Sequence, residues 1–463
     1  MHEAGRLRRG VAEFLRLPLL VTALFSLAGV AVAILDAKGP KEGPLRGLAE
    51  MIAPGAGAAD FLTSVATTIV TVTSITFSIL LLAVQQTASS LTAVVFDQFL
   101  RRIANQLYFG FFVGLSAFSF IVLGAARKDP EPVFGAAVAM VLTVVALVVL
   151  LFLIHGSIDQ MRPASVIRSI HELALQARER ELVKLGRTRA RRRSPEGAPE
   201  RRVCVLDTGY VVTVDLDQLA RVAAAAGRDV EVIVEGRLGD YLVFGDVAAR
   251  LVGVDPDEDR WDDEVLSAFG IDDIRDVDAE AGYATDQLEN IAWSSTSSSQ
   301  QNPNTASAAI RALRDLLARW IVGGERDRSH RAQETDDLPV VYVDGAVTRL
   351  LRSLGTITVA TAESRQAQTC TELLKAFTGS AMRMTDDHRD EFEAVLRSVM
   401  PAVIQHAQIL SLDEALADLI RVLDENGYDA RGAVDIRNSL EEATRRLMPK
   451  PSDEPEAVRP DLA

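Results

Sequence analysis

Four stretches of the chain are apolar for the length of a membrane crossing: residues 17–35, 61–84, 107–126 and 133–153. At about 1.5 Å per residue, each can cover a hydrocarbon core of roughly 30 Å. None carries an internal charge. Four such runs in the first third of the chain predict a four-span helical membrane domain over residues 1–160, because a buried core helix imitates one such run far more easily than four.

The second run departs from a purely apolar pattern. Ser64, Thr67, Thr71, Ser74 and Ser78 recur at steps of three, four, three and four, which places them on one face of a helix. The stripe runs on to Gln85, Ser89 and Thr92, interrupted at Leu81 and Leu82. A helix surrounded by lipid is apolar all round, so a hydroxyl stripe predicts a partner helix, an internal cavity or a water-filled path along that face. Leu81 and Leu82 are then a candidate apolar gate. The alternative is that small hydroxyls bond back to carbonyls one turn earlier and allow close helix packing.

In the third run, Gly110 and Gly114 form a small-xxx-small pair that lets two backbones approach. Tyr108 beside them suits an interfacial aromatic belt. Ala31-Val32-Ala33 resembles a signal-peptidase site, but the apolar run before it is long for a signal core, and the first run is expected to be a span.

Basic residues flank the membrane at the start (Arg6, Arg8, Arg9, Arg16) and after the fourth run (Arg162, Arg168, Arg178, Arg180, Lys184). Lys38, Lys41, Arg46, Arg127 and Lys128 weigh modestly the other way. The balance predicts a multi-pass membrane protein with both termini cytoplasmic.

Residues 161–199 read as a basic juxtamembrane stalk and linker. Arg187, Arg189, Arg191, Arg192 and Arg193 are candidates for contact with anionic headgroups, at about 1 kcal/mol per charge near the surface. A solvated, positive-inside face is the plainer reading. No aromatic interleaving accompanies the cluster, so nucleic acid is not expected as a partner.

Beyond the linker, extended stretches around Arg202–Asp215, Val230–Val234 and Tyr241–Phe244 and a helix at Leu216–Ala226 predict a small α/β module over residues 200–252. Residues 253–448 read as mainly helical, with helices over 279–295, 305–321, 345–377 and 386–423 and turns at Gly323-Gly324, Gly379 and Pro401. The tail, 449–463, reads as disordered. The expected fold is therefore a four-helix membrane domain followed by a cytoplasmic α+β domain.

Net charge is −15 although 48% of residues are hydrophobic, because the acid lies outside the apolar runs. Fourteen Asp or Glu fall between Val254 and Asn290. Asp255, Asp257 and Asp259 alternate as in a calcium loop, but Arg260 occupies the turn position that needs Gly, and Leu266 the position of the bidentate Glu. The acids Asp386, Asp387 and Asp390 around His388 suit a helix N-terminus. No metal and no cofactor are expected. Two cysteines, Cys204 and Cys370, support neither a disulfide framework nor a thiolate zinc site. The chain carries no P-loop, dinucleotide fingerprint or nucleophile elbow, and Leu175 stands where a zinc-protease helix beginning at His171 needs its second His. An enzyme is therefore not expected.

Three stretches resemble a family of predicted bacterial membrane proteins defined only as a domain of unknown function. They are Val70–Ser78 running on to Gln85-Gln86, then Gly209-Tyr210-Val211, then Arg275 through Gln287-Leu288 and Ile291-Ala292 to Asn302–Ala306. In the family pattern the third stretch ends in a proline- and glycine-containing run with an asparagine-aspartate pair. Here serines, Gln301 and Asn302 stand in those places, so only the helix-start chemistry of that run carries over. The resemblance implies a layout and no mechanism. Two functions stay open: a homo-oligomeric ion channel or transporter lined by the second run, and a membrane-anchored scaffold or sensor without conduction whose soluble partner is unknown.

Overall fold

The computed structural model describes residues 3–38, 44–53, 57–92, 99, 101–126, 131–275, 280–297, 302–331, 338–406 and 409–447. The tail expected to be disordered, 449–463, and Arg127 and Lys128 lie outside the described residues. The chain divides into two compact units, Met1–Val166 and Ile167–Ala463.

The first unit holds α1 (Glu3–Lys38), the short α2 (Pro44–Ile52), α3 (Ala58–Ser90), α4 (Ile103–Ala125) and α5 (Val133–Gln160). Four of these are long and apolar enough to cross a membrane: 15–38, 58–89, 103–125 and 133–159. Each expected span lies within or against one of them, and each helix runs further because polar residues at its ends still hold helical geometry. Within the first unit α4 is central, packing against α1, α3 and α5. Accordingly 44% of its span is buried, against 11% to 22% for the others.

Glycines set the contact between α1 and α4. A Cβ at Gly110 would stand 2.9 Å from Pro18 Cα, and one at Gly114 would stand 2.9 Å from the Phe25 ring. The small-xxx-small pair therefore serves packing inside one chain. Asp36, at the end of α1, accepts hydrogen bonds from the Phe134 and Gly135 amides at 2.8 and 2.9 Å, which caps α5.

The second unit begins within α6 (Pro163–Leu185). Two small sheets follow, built from β1 (Glu200–Cys204), β2 (Gly209–Val214), β3 (Glu231–Val234), β4 (Tyr241–Leu242), β5 (Val247–Val252), β6 (Phe269–Asp272) and β7 (Val340–Val341). One sheet has the order β1-β5-β3-β7, antiparallel except for β3/β7, and the other has the order β4-β2-β6. The helix α7 (Leu216–Ala226) is capped by the Asp215 carboxylate on the Gln218 amide, and the short α8 (Asp262–Leu266) leads into β6.

The α/β module expected over 200–252 thus draws strands from beyond its expected end. A two-residue strand such as β7 has no periodicity of its own; it forms because β3 is already there to pair with.

The helical remainder comprises α9 (Ala281–Thr296), α10 (Pro303–Arg331), α11 (Ala346–Glu363), α12 (Ala367–Ala381), α13 (Asp386–Val403), α14 (Leu410–Glu425) and α15 (Arg431–Leu447). Each packs on the helix two further along: α9 on α11, α10 on α12, α11 on α13, α12 on α14 and α13 on α15. That is the two-layer arrangement of stacked helix pairs.

Several expected turns fall elsewhere. Gly323 and Gly324 lie inside α10, Gly379 inside α12 and Pro401 inside the last turn of α13. The real breaks, at Ser364–Gln366 and after Val403, interrupt what the pattern alone presents as two long helices. Arg365 there takes a positive φ of 53°.

Candidate functional site

On α3 the buried apolar side chains are Ala58, Leu62, Val65, Ala66, Ile69, Leu80 and Val84. At about 100° per residue this face points nearly opposite to the hydroxyl stripe. Ser64, Thr67, Thr71, Ser74, Ser78 and Gln85 are all exposed, so the four-helix unit is built on the other side of the helix. Leu81 and Leu82 are also exposed, at 40% and 65%.

Three of the hydroxyls are satisfied one turn back. Thr67 donates to the Thr63 carbonyl at 2.8 Å, Thr71 to Thr67 at 2.9 Å and Ser78 to Ser74 at 2.8 Å. Back-bonding leaves each oxygen able to accept from a visitor or from water. Asp60 extends the stripe by one more turn: it stands four residues before Ser64, on the same azimuth, and is exposed. Its place was open to reading from spacing, but it lies just outside the apolar run.

The basic cluster has largely been taken into the fold. The stalk helix α6 stops at Leu185, and the chain then pairs with β7, with the Arg189 amide donating to the Val340 carbonyl at 2.9 Å. Arg187 binds Asp217 at 3.1 Å, and Arg189 binds the buried Glu231. Glu231 also accepts from the amides of Arg193 and Ser194 at 3.0 and 2.9 Å. Burial works to raise the Glu231 carboxyl, yet the Ser194, Arg193 and Arg189 hydrogen bonds outweigh it and hold it below its ordinary range. Arg192 reaches the Pro195 carbonyl at 2.6 Å. Arg191 is 89% exposed and meets Asp387 at 3.5 Å.

A second feature had no signal in the sequence: a cavity of about 330 Å³ inside the second unit, at the seam between sheets and helices. Its wall is assembled from the end of α6, the turn before α7, the β3–β4 loop and the first turns of α11. Leu185, Val214, Leu216, Leu238 and Val343 give it an apolar side.

The carboxylates on its wall are all engaged. Asp344 is bound by Arg178, at 3.1 Å through one nitrogen, and caps the Ala346 amide at 3.1 Å. Burial works to raise Asp344, but the adjacent Arg178 charge holds it below the usual carboxylate range. Glu181 accepts from the Ala281 amide at 2.9 Å, and Asp240 from the Arg237 amide at 3.0 Å. Glu289 takes the Ser353 hydroxyl at 2.5 Å. Burial pushes both Glu181 and Glu289 up. Tyr342 accepts the Leu238 amide at 2.8 Å, and burial raises its phenol.

A family model for predicted membrane proteins, DUF2254, matches residues 12–379. The chain belongs to the DUF2254 family. No curated protein and no solved structure matches it.

Both the α3 stripe and the cavity lie inside the matched DUF2254 range. The second and third stretches that carry the resemblance meet in the fold. Arg275, which is buried, binds Glu280 at 2.9 Å and Asp286 at 2.7 Å, and lies 5.2 Å over the Tyr210 ring and 4.6 Å over Tyr283. The third stretch ends as a helix start, with Asn302 Oδ1 accepting the Thr305 amide at 3.2 Å ahead of Pro303. In this DUF2254 chain those residues hold the sheets and the first helices together. Among the described residues, no group of three or more His, Cys, Asp or Glu lies close enough to hold a metal ion.

Proposed function

We propose that this DUF2254 protein is an oligomeric channel or transporter in which α3 faces a path between copies of the chain. The observation that carries the reading is the direction of the stripe. A hydroxyl face turned away from its own bundle, on a helix of membrane length, is costly against lipid and well suited to a partner or to water. Asp60 at one end and the acidic character of the rest of the chain favour cations, and Leu81 and Leu82 supply the narrow apolar step.

Four crossings put the N-terminus and the second unit on the same side, and the Lys and Arg flanks support the cytoplasmic side of the bacterial inner membrane. Anionic headgroups remain the proposed partner of the basic segment, now chiefly through Arg191, since Arg187 and Arg189 are held by acids. No catalytic role is assigned.

The test is mass and flux. Protein in mild detergent is expected at a multiple of 50.2 kDa, and the same protein in liposomes should release trapped potassium, with Ser74→Phe cutting the release. A strict monomer without flux contradicts the proposal. The cavity favours a second reading, a membrane-anchored sensor, for which ligand binding persists and flux is absent.

A further inference from the structure

We infer that the cavity in the second unit is a binding site for a small organic anion: one acidic group carried on an apolar body. The inference is independent of whether α3 lines a path. It rests on an imbalance in the wall.

Every carboxylate there is already bound to a cation, an amide or a hydroxyl, as described above. Among the cations, Arg178 is committed to Asp344, Arg349 to Asp286 at 2.9 Å and Arg352 to Glu391 at 2.9 Å. Lys184 and Arg237 also line the cavity, and neither has an ion-pair partner or a side-chain hydrogen bond among the described residues.

The position of Arg237 strengthens the case. A Cβ at Gly345 would stand 3.0 Å from its guanidinium, so the charge lies against the N-cap of α11. This 18-residue helix has a glycine N-cap and no acid in its first turn, and the Asp344 carboxylate that takes its Ala346 amide is already paired with Arg178. A cation held at the positive end of a helix dipole repels it, and an anion placed between the two is attracted by both. The apolar side of the cavity then accounts for the body of the ligand. A volume of about 330 Å³ lies at the small end of the ligand-pocket range, roughly 300–1,000 Å³, which fits a ring system or short chain with one acidic group.

The test is calorimetric titration of the full-length protein in detergent, with a protein-free micelle blank. The probes are naphthalenesulfonate and adenosine monophosphate, with sulfate and adenosine as the anion alone and the body alone. At least one probe is expected to saturate with a Kd below about 1 mM, and both controls should bind at least about tenfold more weakly. Arg237→Gln and Lys184→Gln should each weaken the probe about tenfold or more, the worth of a charge-assisted hydrogen bond. Neither side chain is tied into the fold, so both variants should keep the parent's melting temperature, which is measured in parallel. Lack of saturation by both probes on folded protein overturns the inference, as does parent affinity in folded Arg237→Gln. Equal binding of adenosine and adenosine monophosphate also overturns it, since the charge would then do nothing.

Discussion

Burying the Arg275 guanidinium forfeits hydration that only well-placed acids can offset, and Glu280 and Asp286 supply them. Arg275→Met would leave Glu280, 4% exposed, without its counter-charge. The expected loss is about 3–5 kcal/mol, read as a large drop in the melting temperature of the full chain; an unchanged value would show that the pair is not holding the sheets to α9. Glu231 offers a pH test. Its carboxyl is depressed in the fold, so it contributes stability above the ordinary carboxylate range, and that contribution is lost as pH falls through its folded value. Glu231→Gln should therefore flatten the acid side of the melting profile. Glu289 has the opposite sign: burial raises it, so stability rises as pH falls through its folded value. Glu289→Gln should thus help more at pH 8 than at pH 5, and equal shifts at both would contradict the burial cause. The spacing in the sequence told nothing about these groups, because Arg275 meets Tyr210 and Glu231 meets Arg189 only after distant segments pair.

At the scale of elements, the membrane helices were legible because lipid demands length and apolarity, and both are properties of a continuous run. The small-xxx-small pair was visible too, but its partner was not: Gly110 and Gly114 admit Pro18, Val21 and Phe25 of α1. Gly110→Leu should separate α1 from α4 and cost about 1–3 kcal/mol by overpacking, seen as a lowered melting temperature in detergent. A change confined to oligomeric mass would instead place the pair at a contact between copies. In the second unit the helical period was legible and the breaks were not. Gly323-Gly324 reads as a turn, yet α10 continues through it, since glycine lowers helix stability by only about 1 kcal/mol per residue and the flanking Trp320 and Ile321 are buried. The arginine-rich segment reads as a free basic stalk because composition cannot reveal that β7 lies waiting to pair with Arg189.

For the whole molecule, a membrane unit carries a polar face turned outward, and a second unit encloses a cavity with cations to spare. The first was half legible: the stripe could be read from Ser64 to Gln85, while its direction relative to the core needed Leu62, Val65 and Val84 in place. The second was illegible, since its wall gathers residues between Arg178 and Thr356 from five or more elements. The central claim is that the α3 stripe meets water in a path between copies and does not meet lipid. Single cysteines at Thr71, Ser74 and Ser78, in a background lacking Cys204 and Cys370, test it against Ile79→Cys, an exposed position well off the stripe. With a small charged thiol reagent applied to protein in membranes, the stripe positions should react and Ile79→Cys should not. Labelling at Ile79→Cys alone, or at none of the four while an exposed control reacts, would contradict it.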